Sequence, residues 1–479
     1  MEKVNRLQNL YPSLAKAKTR GSKNVQRLVD TFSLSKTQQK LGKNKSFFIR
    51  TYGCQANERD SENIAGILSA MGFVQSNDWK TANLVILNTC AIRQNAEDKA
   101  FGMLGALKAL KKKKKDLVFG LCGCMPQQEK TIPEINKFFK NINFIFGTHN
   151  IYELPAILEH VYKYKTPIIR VHSHEGNIVE NLPDFRTSKH KALVNIMYGC
   201  DHFCSYCIVP YTRGTIRSRS KEDILKEVLS LKKQGFKEIT LLGQNVNSYG
   251  IDLGNNYRFS NLLEDVAKTG IKRIRFATSN PWNFNPEIVK IIAKYPNLMA
   301  YIHLPIQSGS ESILKKMNRG MKIKTYLGFI KLIRKHIPNC TISTDLIVGF
   351  PNETNKDFKQ TIKLYKKVKF DNAYTFIYSP RIGTPAAIEI DKIDMQTKQK
   401  RLDKLNHLVR KYSKWNNNKY IGKTLEVLVD GPSKNDPTTL TGYSHNWKVV
   451  NFVGKAKPGE FVKVKITGSS LFSLNGKQE

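Results

Sequence analysis

From Ser46 onward the chain alternates short apolar runs with stretches of helical period, and this alternation runs through two series before the pattern changes. The first series has strand-like runs at SFFIRTY (46–52), NLVILNT (83–89) and DLVFGL (116–121). Between the first two, Asn57 is a candidate cap for a helix whose apolar positions are Ile64, Ile67, Leu68 and Met71 and which Gly72 stops. A further helix reaches Leu110, and the Lys111–Lys115 run separates it from the third strand. The second series has LVNIM (193–197), EITLLG (238–243), RIRFAT (273–278), MAYIHL (299–304), TISTDLIV (341–348) and NAYTFIY (372–378). After its first strand, Ser220 caps a helix over 221–234 that places Ile224, Leu225, Val228 and Leu231 on one face, and Gly235 ends it. Strands joined through helices pair in parallel, so the fold class is α/β. The first series predicts an N-terminal doubly wound parallel sheet. The second, with six units rather than eight, predicts a partial (β/α)6 barrel.

The ends differ. Residues 1–45 are polar and basic with little hydrophobic period, which predicts a flexible or weakly helical extension. A lysine-rich helix over 391–418 leads into a segment with period two: in EFVKVKIT, Val462, Val464 and Ile466 point one way and Lys463 and Lys465 the other. With a turn at Pro458-Gly459, this predicts a small C-terminal antiparallel β-barrel of a kind that often binds RNA. The expected domains are therefore 1–45, 46–165, 186–416 and 417–479.

Lys and Arg number 78 against 39 Asp and Glu, a formal net charge of +39. That excess suits a polyanionic partner, nucleic acid before membrane, although a lysine-rich genome would produce it too. No run reaches the ~20 apolar residues of a membrane helix and the N-terminus has no apolar signal core, so the expected location is the cytoplasm. In a cytosolic chain the eight cysteines are read for metal rather than for disulfides.

Cys200-x-x-x-Cys204-x-x-Cys207, within GCDHFCSYCIVPYTRG, follows the strand that opens the second series. Three thiolates in one short loop satisfy three irons of a 4Fe-4S cube and leave the fourth open for a substrate. Zinc requires a fourth ligand, and His202 is too close in sequence to serve comfortably; a zinc knuckle and unrelated buried thiols are the alternatives. Cys54, Cys90 and Cys124 each follow a predicted strand. Groups just past the C-termini of parallel strands converge on one crevice, so these three thiols form a candidate second ligand set, whereas each taken singly reads as a small buried residue. Cys122 and Cys340 fit neither set; Cys340 reads as structural, and Cys122 as a packing residue or a near-miss ligand.

YGCQAN, NTCAIR, GCMPQ and GCDHFCSYCIVPYTRGTIRSR, with LLGQNVNSYG, RIRFATSNP, HLPIQSGS, STDLIVGFPNET and FIYSPRIGTPAA, closely resemble the methylthiotransferase family of radical S-adenosylmethionine (SAM) enzymes over residues 46–479, and VPYTRG resembles its tRNA-modifying branch. The resemblance implies an auxiliary 4Fe-4S cluster on Cys54, Cys90 and Cys124, and a radical 4Fe-4S cluster on Cys200, Cys204 and Cys207 that chelates SAM and cleaves it to a 5′-deoxyadenosyl radical. It identifies the C-terminal barrel with a TRAM domain. It implies SAM contacts among Tyr206, Gln244, Asn245, Ser279, Gln307, Ser308 and Asp345; the alternative for the loop residues is hydrogen bonding within their loops. Arg213, Arg217 and Arg219, behind the radical motif, are candidates to grip RNA phosphate, with a solvated basic loop as the alternative. Trp447 is a candidate RNA contact, in a stretch where Tyr443 and Trp447 stand in place of the family's usual Arg and Asn. Asn280 replaces a more usual His.

The implied reaction is methylthiolation of carbon 2 of an isopentenylated adenosine next to the anticodon, with SAM supplying both radical and methyl group. The implied partners are the tRNA anticodon stem-loop, an electron donor such as a flavodoxin or ferredoxin, and a sulfur source, with the chain a monomer and no membrane involved. The competing substrates are threonylcarbamoyl-adenosine in tRNA and an aspartate of a ribosomal protein. An RNA-binding protein with purely structural clusters is the reading from a different class.

Overall fold

The computed structural model describes residues 7–18, 29–91, 94–173, 178–434 and 436–479. The chain forms two units. The first comprises Met1–Thr187, Met197–Phe203 and Cys207–Arg219; the second comprises Ser188–Ile196, Cys204–Tyr206 and Ser220–Glu479.

The first unit is built on a six-stranded, wholly parallel sheet. Its order is Val74–Gln75, Ser46–Tyr52, Leu84–Thr89, Val118–Gly123, Phe144–Phe146, Ile168–Arg170. The two central strands, LVILNT and VFGLCG, are buried along their whole length, as strands covered on both faces must be. One face packs against Ile64, Ile67 and Leu68 of the helix Gln55–Ala70 and Ile157, Leu158 and Val161 of the helix Leu154–Tyr164. The other packs against Leu104 and Leu107 of Gln94–Lys113 and Ile132 and Ile135 of Thr131–Phe138. This is the doubly wound sheet expected from the first series.

Much of the segment expected as a flexible or weakly helical extension is bound to this unit, with short helices at Leu14–Lys18 and Lys36–Gln39. Residues 1–6 and 19–28 of it lie outside the described residues. Leu10 bridges Arg170 in parallel, its N–H donating to the Ile169 carbonyl at 2.8 Å, and Val29–Thr31 pairs in parallel with Ile178–Glu180. Leu7, Phe32, Leu34 and Leu41 pack on the sheet core. The physical reason is the sheet edge at Ile168–Arg170, whose outward backbone groups need partners. A sparse apolar pattern was enough to supply them.

The second unit carries six parallel strands in chain order. Arg273–Phe276, Glu238–Leu242 and Lys191–Asn195 form one ribbon; Tyr301–His303, Thr341–Val348 and Asn372–Ile377 form the other. Backbone bonds from Ile274 N–H to Asn297 and from Met299 N–H to Ile274, both 2.8 Å, join the ribbons. The helix Met395–Asn418 then leads to a closed five-stranded barrel ordered Thr424–Pro432, Leu440–Ser444, Val449–Val453, Ser473–Gln478, Phe461–Ser469. Val464 and Ile466 are buried in it and Lys463 and Lys465 are exposed, as the period-two pattern requires. The barrel departs from the antiparallel expectation at one pairing: Val449–Val453 and Ser473–Gln478 run parallel, because the chain crosses through Phe461–Ser469 before returning to close it. Arg273, almost wholly buried, ties barrel to core by donating to the Tyr443 carbonyl at 2.7 Å and the Glu426 carbonyl at 3.1 Å.

Candidate functional site

In the first unit, the three separated cysteines are fixed by an amide network beneath their loops. Cys54 follows Ser46–Tyr52 and is itself the cap of Gln55–Ala70; Asn57, expected to cap that helix, stands at its third position. The Asn57 Oδ1 accepts the Cys54 N–H at 3.3 Å, so the amide closes the turn from inside the helix rather than starting it. Fully buried, Asn57 also donates Nδ2 to Asn88 Oδ1 (3.1 Å) and the Thr89 carbonyl (3.2 Å), and Asn88 donates back to the Asn57 carbonyl at 2.8 Å. The loop after Cys54 is thus clamped to the strand end before Cys90. The Cys124 N–H in turn donates to the Thr89 carbonyl at 2.8 Å, and Thr89 Oγ1 to the Cys122 carbonyl at 2.7 Å. Gly123 takes φ +95°, and a Cβ there would collide with Asn88 and Thr89, so only glycine lets these strand ends approach.

Cys90 and Cys124 are buried and Cys54 half-buried. The Cys124 thiol is pushed up to about 12 by burial, with Cys90, Cys54 and Asp60 adding to the shift and Arg213 opposing it. Loading a metal on the Cys124 thiol therefore displaces a proton. Ala17, Ala91, Ile208, Tyr211, Leu14 and Phe203 form an apolar shell about Cys124, which limits water access. Among the described residues no three His, Cys, Asp or Glu side chains form a site for a single metal ion. Three thiols with no fourth ligand match a 4Fe-4S cube better than zinc, which wants four. Cys122 points to the sheet core with Phe47 and Ile64, and burial raises its thiol well above the ordinary value, so it is a packing residue.

The radical-type motif sits on a loop that closes on itself. Within the first unit, Met197–Tyr198 pairs antiparallel with Arg217–Ser218, and the Cys200 N–H donates to the Gly214 carbonyl at 3.0 Å. Gly199, at φ +77°, lies so close to Thr215 that a Cβ would collide with its carbonyl. Within the second unit, the Ser205 N–H donates to the Met317 carbonyl (3.1 Å), and its own carbonyl accepts from Ala386 N–H (2.7 Å). Tyr206 packs against the cluster of Ile313, Met317, Phe350, Tyr378 and Ala386. The Cys204 sulfur accepts from Arg319 Nη1 at 3.6 Å. Buried Arg319 also donates to Asn280 Oδ1 at 3.3 Å and to the Pro305 carbonyl, and its guanidinium lies 4.3 Å from the Trp282 ring centre. Sequence reasoning missed Arg319, which lies in no motif that it singled out.

The other residues the family resemblance pointed to lie at strand C-termini of the second unit, but they differ in freedom. Asn245 is buried, donates Nδ2 to Ser248 Oγ at 2.7 Å, and leaves its Oδ1 without a hydrogen-bond partner; Gln244 beside it is half-buried. Gln307 takes φ +73° and its N–H donates to the Asp345 carbonyl at 2.9 Å. The Asp345 carboxylate remains partly exposed, 3.5 Å from His303 Nε2, a second residue that sequence reasoning missed. Ser308 and Ser279 are committed elsewhere. Ser308 bonds Thr361 (3.3 Å) and accepts from Ser310 N–H (3.2 Å), and Ser279 donates to the His303 carbonyl.

The three arginines expected at phosphate are buried. Arg213 Nη2 pairs with Asp60 at 2.7 Å and its Nε donates to Cys124 Sγ at 3.1 Å. Arg219 grips Glu180 with two nitrogens, Nε at 2.9 Å and Nη2 at 2.7 Å. Arg217 donates to the Arg213 carbonyl at 3.1 Å and lies 5.7 Å from the Tyr198 ring centre. They are internal struts, neither a phosphate clamp nor a solvated loop. The Lys111–Lys115 run has a structural use as well: Lys111 and Lys114 donate to the carbonyls of Leu117, Thr81 and Ala82 beside the helix end. Trp447 stacks on Tyr443 with ring centres 4.1 Å apart, and the Arg275 guanidinium lies 3.7 Å from its ring. Tyr443 and Trp447, with Tyr374, Phe376, Arg410 and Phe472, line a cleft of about 600 Å³ in the second unit, an aromatic and cationic surface suited to unpaired bases. Among the described residues no helix is long and apolar enough to cross a membrane.

Three family models match stretches of the chain. The radical SAM superfamily matches residues 194–365, the uncharacterized protein family UPF0004 matches 46–147, and the TRAM domain matches 418–477. The chain is 55% identical over 97% of its length to a tRNA-2-methylthio-N(6)-dimethylallyladenosine synthase of Malacoplasma penetrans, covering 95% of that protein. It is 50% identical over 97% of its length to the protein of the same description from Bacillus subtilis, covering 92% of it. Among solved structures, the radical SAM methyltransferase TsrM of Kitasatospora setae, bound to tryptophan and a SAM analogue, shares the fold at TM-score 0.52 and 13% identity, over 72% of this chain and 75% of that one.

Proposed function

This chain belongs to the family of the tRNA-2-methylthio-N(6)-dimethylallyladenosine synthases, and on that premise we propose that it replaces the hydrogen on carbon 2 of an isopentenylated adenosine, next to a tRNA anticodon, with a methylthio group. The observation that carries this reading is the gathering of Cys54, Cys90 and Cys124 at three strand exits in a chain that also holds the Cys200, Cys204, Cys207 motif. One set alone would serve SAM cleavage; two sets serve cleavage and sulfur transfer.

Cys200, Cys204 and Cys207 hold the SAM-binding 4Fe-4S cluster, and Cys54, Cys90 and Cys124 hold the auxiliary one. Bound there, the clusters and SAM supply the radical chemistry that an unactivated aromatic C–H bond demands, together with the sulfur and methyl group. The chain's own part is placement and exclusion. Arg319 orients Cys204. Tyr206, Gln244, Asn245, Gln307 and Asp345 line the cofactor side of the second unit, and the unpartnered Oδ1 of Asn245 is an acceptor ready for a cofactor donor. The apolar shell about Cys124 keeps water from the sulfur. The barrel, through Lys463 and Lys465, and the Tyr443–Trp447 cleft engage the unpaired anticodon-loop RNA. The chain acts in the cytoplasm as a monomer, drawing electrons from a flavodoxin or ferredoxin, with a separate source replacing the sulfur that the auxiliary cluster passes on.

The test is nucleoside mass spectrometry after anaerobic incubation with SAM, reductant and three substrates: isopentenylated tRNA, threonylcarbamoylated tRNA and ribosomal protein. A methylthio product on the isopentenylated adenosine alone is expected. Product on either other substrate, with none on that adenosine, overturns the reading.

A further inference from the structure

Arg213 is buried, and it is one of the most constrained side chains in the first unit. It lies in the short helix Val209–Arg213, six residues past Cys207, and its guanidinium is directed at a cysteine far away in sequence. Nε donates to Cys124 Sγ at 3.1 Å and Nη2 to Asp60 Oδ2 at 2.7 Å, with both charged side chains over nine-tenths buried. Asp60 belongs to the helix that Cys54 caps. Thr148 Oγ1 fixes the C-terminal end of Val209–Arg213 by donating to the Thr212 carbonyl at 2.7 Å.

An ion pair taken out of water at this depth is poor evidence for stability, since desolvation offsets most of the attraction, so its presence points to another use. Its geometry supplies one. A hydrogen bond to a ligand sulfur and a nearby positive charge both favour the more negative, reduced form of an iron–sulfur cluster. In a buried site these effects are weakly screened. A carboxylate on the far side of the same guanidinium moderates the charge and holds the donor in line.

We propose that Arg213 is a positioning residue for the auxiliary cluster, its Nε–H bonded to the Cys124 sulfur and held there by Asp60, so that this buried pair sets the cluster's reduction potential. The proposal rests on Cys54, Cys90 and Cys124 being that cluster's ligands. The two partners act with opposite sign. Loss of the guanidinium removes a donor and a positive charge, which lowers the potential. Loss of the Asp60 charge leaves the guanidinium uncompensated, which raises it.

The experiment uses the full chain carrying Cys200→Ala, Cys204→Ala and Cys207→Ala, so that only the auxiliary site can load. Iron and sulfide are counted, and the cluster is titrated with dithionite against redox mediators and followed by electron paramagnetic resonance. Arg213→Gln and Asp60→Asn are each compared in that background. The expected result is one cluster throughout, with a potential shifted down in the first variant and up in the second. If Arg213→Gln does not fold or load, the upward shift in Asp60→Asn alone decides. A full cluster whose potential stays fixed, or shifts the same way in both variants, overturns the proposal while leaving the ligand assignment intact. A background protein that binds no iron overturns the ligand assignment and the proposal with it.

Discussion

The two cysteine sets reach their geometry by opposite routes. Cys200, Cys204 and Cys207 share one loop, and their spacing alone brings them together. Cys54, Cys90 and Cys124 are brought together by a parallel sheet and by Asn57, Asn88 and Thr89 beneath it. Yet the local devices match. A left-handed glycine stands immediately before one cysteine of each set, Gly123 before Cys124 and Gly199 before Cys200. A buried arginine donates to one sulfur of each set, Arg213 to Cys124 and Arg319 to Cys204. The partners of those arginines differ. Arg213 bonds a carboxylate, whereas Arg319 bonds an amide oxygen, a carbonyl and an indole face. A set of three thiols can thus be assembled by a short motif or by a fold, and the supporting shell is similar either way.

The largest effect that separates the sets is their independence. Cys90→Ala should remove one cluster's worth of iron and abolish methylthio product while SAM cleavage persists; Cys204→Ala should abolish both activities. Equal loss of SAM cleavage in the two variants would mean that the sets do not act separately. Next in size is Arg219→Leu, which strands a buried Glu180 and should destabilise the apo protein by about 3–5 kcal/mol in a denaturant titration. The salt dependence of tRNA binding should not change, whereas a phosphate contact would reduce its slope. Gly123→Ala should be destabilising by about 2–4 kcal/mol, from left-handed strain plus overpacking. It should also lower iron loading at the auxiliary set while the radical motif still loads, and Gly199→Ala should invert that selectivity. The smallest effect is expected on the barrel. Lys463→Ala with Lys465→Ala should leave stability within about 0.5 kcal/mol. The same pair should reduce the salt slope of tRNA binding by about one per lysine in magnitude.

What the chain disclosed in advance follows the same contrast. Strand and helix periods placed all six strands of the second series and three of the six in the first sheet, because LVILNT and TISTDLIV have one sensible burial and helices with clean stops at Gly72 and Gly235 have one sensible length, whereas Val74–Gln75, Phe144–Phe146 and Ile168–Arg170 are too short to show a period. Spacing and strand exits marked two candidate sets of three cysteines, and Cys54, Cys90 and Cys124 do follow neighbouring strands. Side-chain partners across long sequence gaps were not legible. Arg213, Arg217 and Arg219 read as a basic surface because nothing local reveals that Asp60 and Glu180 wait for two of them. Arg319 and His303 carried no pattern of their own and became visible only when strand ends met. Asn57 looked like a cap because Asn often is one, but the true cap is Cys54, a residue type with little capping preference, held there by the same Asn57. The docking of residues 7–18 was hidden because a bare sheet edge recruits backbone rather than a recognisable side-chain pattern.

The most direct measurement is a count of iron and sulfide in anaerobically reconstituted wild-type protein and in the Cys200→Ala, Cys204→Ala, Cys207→Ala triple variant. Two independent sites predict two 4Fe-4S clusters in the wild type and one in the variant. A variant without iron, or a wild type holding zinc or a single cluster, would contradict the two-site account.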